Sequence, residues 1–213
     1  MKKITLTLSL VILGLASFGQ SEQYKKGMSA MLQKMQVAAN SVDLYQDAAN
    51  GFSRIADAEK SEWLPKYYAS FCMVMQAMNS KDLSKVDQVL DVADKLLSEI
   101  ASVKESDEVL CLQSFSRSAR IAVDPMTRGM KYGPEAAKLL ARAKALNPNN
   151  PRVYFLLGQS AFYTPEAFGG GKKAAQSLFA EAAEKFNTFT PLNELMPNWG
   201  KEVNESMLKQ CAE

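Results

Sequence analysis

Acid–base or nucleophilic chemistry in this chain would have to use Asp, Glu, Lys, Tyr or Cys side chains, because the sequence contains no histidine. The absence of histidine removes the commonest general base, the Ser–His and Cys–His nucleophile pairs, and most zinc sites. The three cysteines, Cys72, Cys111 and Cys211, form no pair with metal-ligand spacing. We therefore predict a protein that is not an enzyme and that holds no metal ion and no cofactor.

Charged and aromatic side chains cluster in two segments that we interpret as loops between helices, Asp124–Gly133 and Thr164–Gly171. Equivalent loops lie side by side in stacked helical repeats. One interpretation is a ligand-binding rim that both loops form. The other is an ion pair from Arg128 to Glu166 or to Asp124 that only holds the loops together. The candidate binding residues at this rim are Asp124, Arg128, Tyr163 and Glu166.

A second candidate surface is the concave groove that the first helices of stacked helix pairs would line. Aromatic and arginine side chains in such a groove suit a peptide or a neighbouring subunit. The alternative is that the C-terminal segment folds back and fills the groove, with Trp199 as the plug. The candidate groove residues are Arg120, Arg152, Phe155, Gln159 and Phe162.

The helices that would position both surfaces are indicated by apolar residues spaced three and four apart. No stretch alternates with period two, so we predict an all-α fold of about eight or nine helices. Cys72 and Cys111 fall in apolar helical stretches, which predicts buried structural thiols. The elements around the rim are predicted as a loop over Met126–Gly133 and helices over Pro134–Leu146, Pro151–Tyr163 and Lys172–Phe189.

A repeating helix pair is indicated by a small residue where two helices cross closely, followed by a small–large–small set on the partner helix. The last such unit has Gly158 at the close approach, and its partner set is Ala175, Phe179 and Ala182. The unit 39 residues earlier matches it position by position, with Ala119, Ala136, Leu140 and Ala143. In both units 17 residues separate the first two positions, which predicts the same enlarged loop in each.

These two units resemble tetratricopeptide repeats, over about residues 108–148 and 150–189. The resemblance implies a short right-handed solenoid of helical hairpins with an irregular first half. The loop Pro165–Gly171 is similar to two groups, the exported repeat proteins common in Bacteroidetes and the periplasmic helical subunit associated with TRAP transporters. The segments Asp124–Gly129 and Pro197–Lys201 fit the Bacteroidetes group better, and the resemblance to the TRAP-associated subunit is more distant.

The Bacteroidetes resemblance implies a fold and a compartment rather than a mechanism. With the two candidate surfaces, it leads us to predict a non-enzymatic scaffold that binds a protein or peptide partner of the cell envelope. The alternative is a small-molecule-binding protein similar to the TRAP-associated subunit. That alternative requires an open, partly apolar channel near Phe155, Phe162 and Tyr163.

The N-terminus predicts export. Lys2 and Lys3 precede an apolar run over Ile4–Ala16, and small residues follow, which indicates a signal peptide at residues 1–19 with cleavage after Gly19. No cysteine follows the run, so we predict no lipid anchor, and no later segment is long and apolar enough to span a membrane. The predicted localisation is periplasmic or secreted.

The mature chain is predicted to be one helical-repeat domain over residues 20–213, with a C-terminal cap over residues 190–213. Without Lys2 and Lys3 it keeps 23 lysines and arginines against 23 aspartates and glutamates. A net charge near zero argues against nucleic-acid partners.

Overall fold

A computed structural model describes residues 21–213, and the predicted signal peptide at residues 1–19 lies outside them. The described residues form nine α-helices, two short 3-10 turns and no β-strand, so the all-α prediction is confirmed. The helices are α1 (Glu22–Gln36), α2 (Val42–Ala58), α3 (Leu64–Asn79), α4 (Val86–Val103), α5 (Asp107–Val123), α6 (Pro125–Leu146), α7 (Pro151–Tyr163), α8 (Lys172–Thr188) and α9 (Lys201–Ala212). Within residues 21–213, no helix is both long and apolar enough to cross a membrane.

Neighbouring helices pack as antiparallel pairs, because short connections reverse the chain direction between them. The most extensive contacts join α5 to α6, α2 to α3, α7 to α8 and α3 to α4. A guanidinium nitrogen of Arg128, near the start of α6, donates a hydrogen bond of 2.8 Å to Asp87, near the start of α4. The N-termini of α4 and α6 therefore lie at the same end of the stack. Since α7 runs back toward that end before the chain turns into α8, the N-terminus of α8 lies there too. We call this end the hairpin end.

The close approach that the sequence predicts at Gly158 is present. A Cβ atom at Gly158 would lie 2.6 Å from the ring of Phe179, so only glycine lets α7 and α8 pack this closely. Ala175 and Ala182, one turn on either side of Phe179, are fully buried. The hand of the solenoid and the single-domain organisation stay predictions.

The predicted loop over Met126–Gly133 is wrong, because these residues form the first turns of α6. Asp124 starts the helix by accepting hydrogen bonds from the backbone N–H and the hydroxyl of Thr127, and Pro125 occupies the first helical position, where a missing N–H costs nothing. Pro134 is tolerated inside the helix because the turn before it is exposed, so water can bind the carbonyl group that loses its partner.

Only one of the two predicted enlarged loops therefore exists, the segment between α7 and α8. It contains a 3-10 turn over Glu166–Phe168. Gly169 and Gly171 have φ angles of 84° and 94°, in the left-handed region that glycine adopts without strain. The equal 17-residue spacing in the two units arises from a helix extension in one and a loop in the other.

The thiols of Cys72 and Cys111 are free and buried, as predicted, and Cys211 is half-buried. Burial raises the pKa of the Cys72 thiol to about 12. Burial raises the pKa of Cys111 as well. Both groups therefore stay protonated and pack as small apolar side chains.

Candidate functional site

The concave groove is filled by the C-terminal segment over residues 190–200, which we call the tail. The ring of Trp199 lies among aromatic side chains of α3, α5 and α7, with centroid distances of 5.2 Å to Phe71, 6.0 Å to Phe115 and 6.3 Å to Phe155. The alternative in which Trp199 plugs the groove is therefore the one that the structure shows. Phe155 is a packing residue here and is covered by the tail.

Side chains of the groove also hold the backbone of the tail. The hydroxyl of Tyr68 donates a 2.8 Å hydrogen bond to the carbonyl oxygen of Leu195. The guanidinium of Arg152 donates to the carbonyl oxygens of Pro197, at 3.1 Å, and of Trp199, at 3.3 Å. The indole N–H of Trp199 donates to the hydroxyl of Tyr67 at 2.8 Å.

Arg152 is in turn fixed by a buried ion pair with Glu108. Two guanidinium nitrogens of Arg152 donate to the two oxygens of Glu108 at 2.7 and 2.6 Å, and the side chains are 0% and 8% exposed. The amide of Asn150 donates to the same carboxylate at 2.9 Å. Burial raises the pKa of Glu108, and the neighbouring Arg152 charge opposes that effect. The Arg152 side chain is thus occupied by Glu108 and by the backbone of the tail.

Two other predicted groove residues also contact their own chain. The side-chain amide of Gln159 lies 3.6 Å from the sulfur of Met207 in α9. The ring of Phe162 packs against Phe179, with a centroid distance of 6.3 Å, and against Tyr163. Trp199 occupies the Phe155 side of the region in which the small-molecule alternative requires an open channel.

Arg120 and Arg128 belong to a charge network at the hairpin end. Arg120 donates hydrogen bonds to Asp87, Asp91 and Asp94 at 3.2, 2.7 and 2.7 Å. Arg128 donates twice to Asp87, at 2.8 and 2.9 Å. The Arg128 hydrogen bond lowers the pKa of Asp87. This network ties the first turns of α6 to α4.

The predicted ion pairs from Arg128 to Glu166 or Asp124 are wrong. Asp124 uses its carboxylate to cap α6, and Arg128 points to α4 instead of the loop after α7. Glu166 lies in the 3-10 turn, where a Cβ atom on Gly171 would come within 2.6 Å of its side chain. The rim residues therefore meet different partners, and α6 rather than a loop forms one side of the rim.

Four large apolar side chains are exposed at the hairpin end. Met126 and Met130 in the first turns of α6 are 86% and 89% exposed, and Tyr163 and Phe168 after α7 are 72% and 79% exposed. Contiguous exposed apolar side chains on a water-facing surface commonly mark binding sites. We call these four residues the overhang surface.

The contact between Lys144 and Tyr154, 4.8 Å from ammonium nitrogen to ring centroid, aligns α6 with α7. Each residue of a helix adds about 1.5 Å along its axis. Met130 therefore lies about 21 Å from Lys144 along α6, whereas Tyr163 lies about 14 Å from Tyr154 along α7. Successive residues are rotated by about 100° around the helix axis, so Met126, Met130 and Lys144 lie within about 40° of one another and share one face of α6. The methionines thus extend beyond the end of α7 on the side of α6 that faces it.

The sequence interpretation placed Tyr163 and Phe168 at the rim, with Tyr163 among its candidate binding residues, but it missed Met126 and Met130. The two methionines are four residues apart, so they share one face of a helix. That signal is visible only if the segment is read as helical, and its two glycines and Pro134 argued against a helix.

Two clefts of about 340 Å³ open elsewhere on the described surface. One is lined by residues of α4, α5 and α6, including Val109, Leu110 and Arg142. The other is lined by residues of α2, α3 and α4, including Lys66 and Leu96, and by Lys60 between α2 and α3. Neither cleft is lined by tyrosine, methionine or cysteine. Across residues 21–213, no cluster of three or more His, Cys, Asp or Glu side chains could hold a metal ion.

Comparison with known proteins finds a relative of this chain among solved structures. No protein-family profile and no curated protein sequence matches the chain. Among solved structures, the chain is similar to the HusA haemophore from Porphyromonas gingivalis, with 34% sequence identity and a TM-score of 0.79. The match covers 91% of this chain and 94% of the haemophore chain. The chain therefore belongs to the same family as the HusA haemophore.

Proposed function

We propose that this protein is an exported, non-enzymatic haem-binding protein that carries haem on the overhang surface. Its relative is a haemophore, and the predicted signal peptide is consistent with export. The observation that carries the proposed location is the exposure of Met126, Met130, Tyr163 and Phe168 at one end of the stack. The groove is filled by the tail, so it offers no equivalent apolar surface.

The chemistry of the overhang surface matches that of haem. A porphyrin is flat and apolar, and flexible methionine and aromatic side chains adapt to such a face. Covering about half of four such side chains contributes on the order of 3–6 kcal/mol before the cost of association is subtracted. Exposed lysines at the same end, Lys131 and Lys172 among them, would meet the propionate groups.

The iron of the bound haem needs a donor atom, and the chain has no histidine to supply one. Tyrosine oxygen and methionine sulfur both serve as haem ligands in proteins. At the overhang surface these atoms belong to Tyr163, Met126 and Met130. We propose Tyr163 as the first candidate, because a negatively charged phenolate is the stronger ligand for ferric iron and the side chain is 72% exposed.

The test of the site is a titration of the mature protein with ferric haem, followed by the Soret absorption band. Replacing Met130 by Ala should weaken haem binding about tenfold, which corresponds to the loss of about 1.4 kcal/mol. The matched control is Val103→Ala, since Val103 is equally exposed, at 89%, but lies at the other end of the stack. Equal affinities for the wild type and the Met130→Ala variant would show that haem binds elsewhere or not at all.

The role of Tyr163 as an iron ligand can be separated from its role in packing. Tyr163→Phe removes the oxygen and keeps the ring. We expect this variant to bind ferric haem more weakly than the wild type does and to bind metal-free protoporphyrin equally well. A parallel loss for both porphyrins would mean that Tyr163 contributes by packing alone.

Binding of a protein or peptide, the function that the sequence led us to predict, remains a second candidate. The favouring observation is that the concave groove already holds an extended segment of chain by aromatic and hydrogen-bond contacts. A partner could occupy the groove only after the tail has left it. The small-molecule alternative through a channel near Phe155 is less favoured, since the tail fills that space.

A further inference from the structure

The tail is attached to the groove in the way that a bound peptide is attached to its receptor. Within the described residues, no backbone–backbone hydrogen bond joins residues 190–199 to any helix. The backbone N–H groups of Leu195 and Met196 bond instead to Asn193 inside the tail, at 2.9 and 3.2 Å. Residues 190–199 are thus held by groove side chains, and the backbone of the tail joins a helix only at Gly200, whose carbonyl accepts a hydrogen bond from the N–H of Asn204 in α9 at 2.9 Å.

The groove contacts three alternate carbonyl groups of the tail and one indole. Tyr68 binds the carbonyl of Leu195, and Arg152 binds those of Pro197 and Trp199. Carbonyl groups are common to every peptide, so these contacts fix the path of the chain. Specificity comes from Trp199, whose ring enters an aromatic cage and whose N–H reaches Tyr67.

The donors of the groove are positioned by contacts that do not involve the tail. The ion pair with Glu108 orients both arms of the Arg152 guanidinium, and Asn150 fixes that carboxylate. The hydroxyl of Tyr67 lies 3.5 Å from the second oxygen of Glu108. A receptor whose donors are fixed before the ligand arrives binds with a smaller loss of conformational entropy.

We propose that the concave groove of α3, α5 and α7 is a peptide-recognition site, and that the chain's own tail is its resident occupant. The site fits an extended peptide that presents alternate carbonyl groups and one tryptophan. This inference does not depend on haem binding, since the groove and the overhang surface share no residue.

Both ends of the tail are tethered, which explains why the groove is closed in the intact chain. The tail follows α8 directly, and α9 after it is anchored by a hydrogen bond from the Asn204 amide to the carbonyl of Phe179, at 3.0 Å. A tethered segment acts at an effective concentration on the order of millimolar. A free peptide with the same contacts must therefore compete with the tail.

The first test uses a fluorescently labelled peptide with the sequence of residues 191–200 and the mature protein. We expect fluorescence anisotropy to show binding to a Trp199→Ala variant that is about tenfold tighter than binding to the wild type, because the variant's own tail competes less. The peptide that carries the same Trp199→Ala change is the control and should not bind. If the folded variant takes up no wild-type peptide, the groove is not a separable site and the inference is overturned.

A second test remains decisive even if the Trp199→Ala variant fails to fold. Tyr68→Phe keeps the ring and removes only the hydrogen bond to the carbonyl of Leu195. Hydrogen exchange followed by mass spectrometry should then show faster exchange in residues 191–200 and unchanged exchange in α5. If the tail and α5 exchange together in both proteins, the tail is a part of the core that opens only on global unfolding, and the inference fails.

Discussion

The concave groove and the overhang surface contain similar residue types, yet one is closed and the other open. Phe155 and Trp199 pack together in the groove, whereas Phe168 and Tyr163 face solvent at the hairpin end. What differs is the chain that follows. The tail crosses the groove before α9 begins, and no described segment crosses the hairpin end. The availability of a surface is therefore decided by the path of a segment distant in sequence, and not by the surface residues themselves.

The largest expected difference between the two regions is in the free energy of unfolding when one phenylalanine is removed from each. Phe155→Ala should lower the free energy of unfolding by about 3–5 kcal/mol, because it leaves a cavity beneath Trp199. Phe168→Ala should change it by less than about 0.5 kcal/mol, because the side chain is exposed. Urea denaturation of both variants measures the difference. Similar losses would mean that Phe168 is packed in solution and that the hairpin end is not open.

A similar contrast is expected between a buried and an exposed arginine. Arg152→Ala leaves Glu108 charged and buried without its partner, which should cost about 3–5 kcal/mol of unfolding free energy. Arg142 forms an ion pair with Glu105 in which both side chains are about half exposed, so Arg142→Ala should cost at most about 1 kcal/mol. Both values come from denaturant titrations at one ionic strength. A small loss for Arg152→Ala would show that water reaches Glu108 when the tail moves.

Two glycines should respond to alanine with opposite signs. Gly158→Ala places a methyl group 2.6 Å from the ring of Phe179 and should cost about 1–3 kcal/mol by overpacking. Gly129 lies in α6, where the added carbon would meet no atom within 4 Å outside its own helix, so Gly129→Ala should gain about 0.5–1 kcal/mol of helix stability. Thermal unfolding of the two variants measures the sign of each change. Destabilisation by Gly129→Ala would mean that the first turns of α6 need a flexible backbone.

The sequence was sufficient where local spacing determines the packing. The pairing of Gly158 with Phe179 could be predicted, because a small residue opposite a large one leaves a readable pattern on each helix. The burial of Cys72 and Cys111 could be predicted for the same reason. The plug at Trp199 was foreseen only as an alternative, since nothing local reveals where an irregular segment will lie.

The site could be predicted less well, because its features depend on contacts between distant residues. Glycines at 129 and 133 and a proline at 134 favour a loop by local propensity. The strong start at Asp124–Pro125 and the packing of Tyr132 and Arg128 against neighbouring helices outweigh that propensity. The partner of Arg128 is 41 residues away on α4, and no local pattern pairs it with Asp87 rather than with Glu166.

The smallest effect that tests the comparison is electrostatic and concerns Asp87, which helps to hold α6 in its overhanging position. The hydrogen bond from Arg128 lowers the pKa of Asp87 in the folded protein. A lowered folded-state pKa means that the stabilisation is fully present above the unfolded value of about 3.9 and declines as the pH falls through the folded value. Carboxyl carbon shifts in an NMR titration should place the Asp87 midpoint below the ordinary range, and Arg128→Ala should move it upward.

Lys131→Ala is the control, because its ammonium lies over the ring of Tyr132 and forms no described ion pair with Asp87. An unchanged midpoint in the Arg128→Ala variant would show that Arg128 does not bind Asp87 in solution. The first turns of α6 would then not be fixed to α4, and the exposure of the hairpin end would reflect their motion rather than a fixed arrangement of helices.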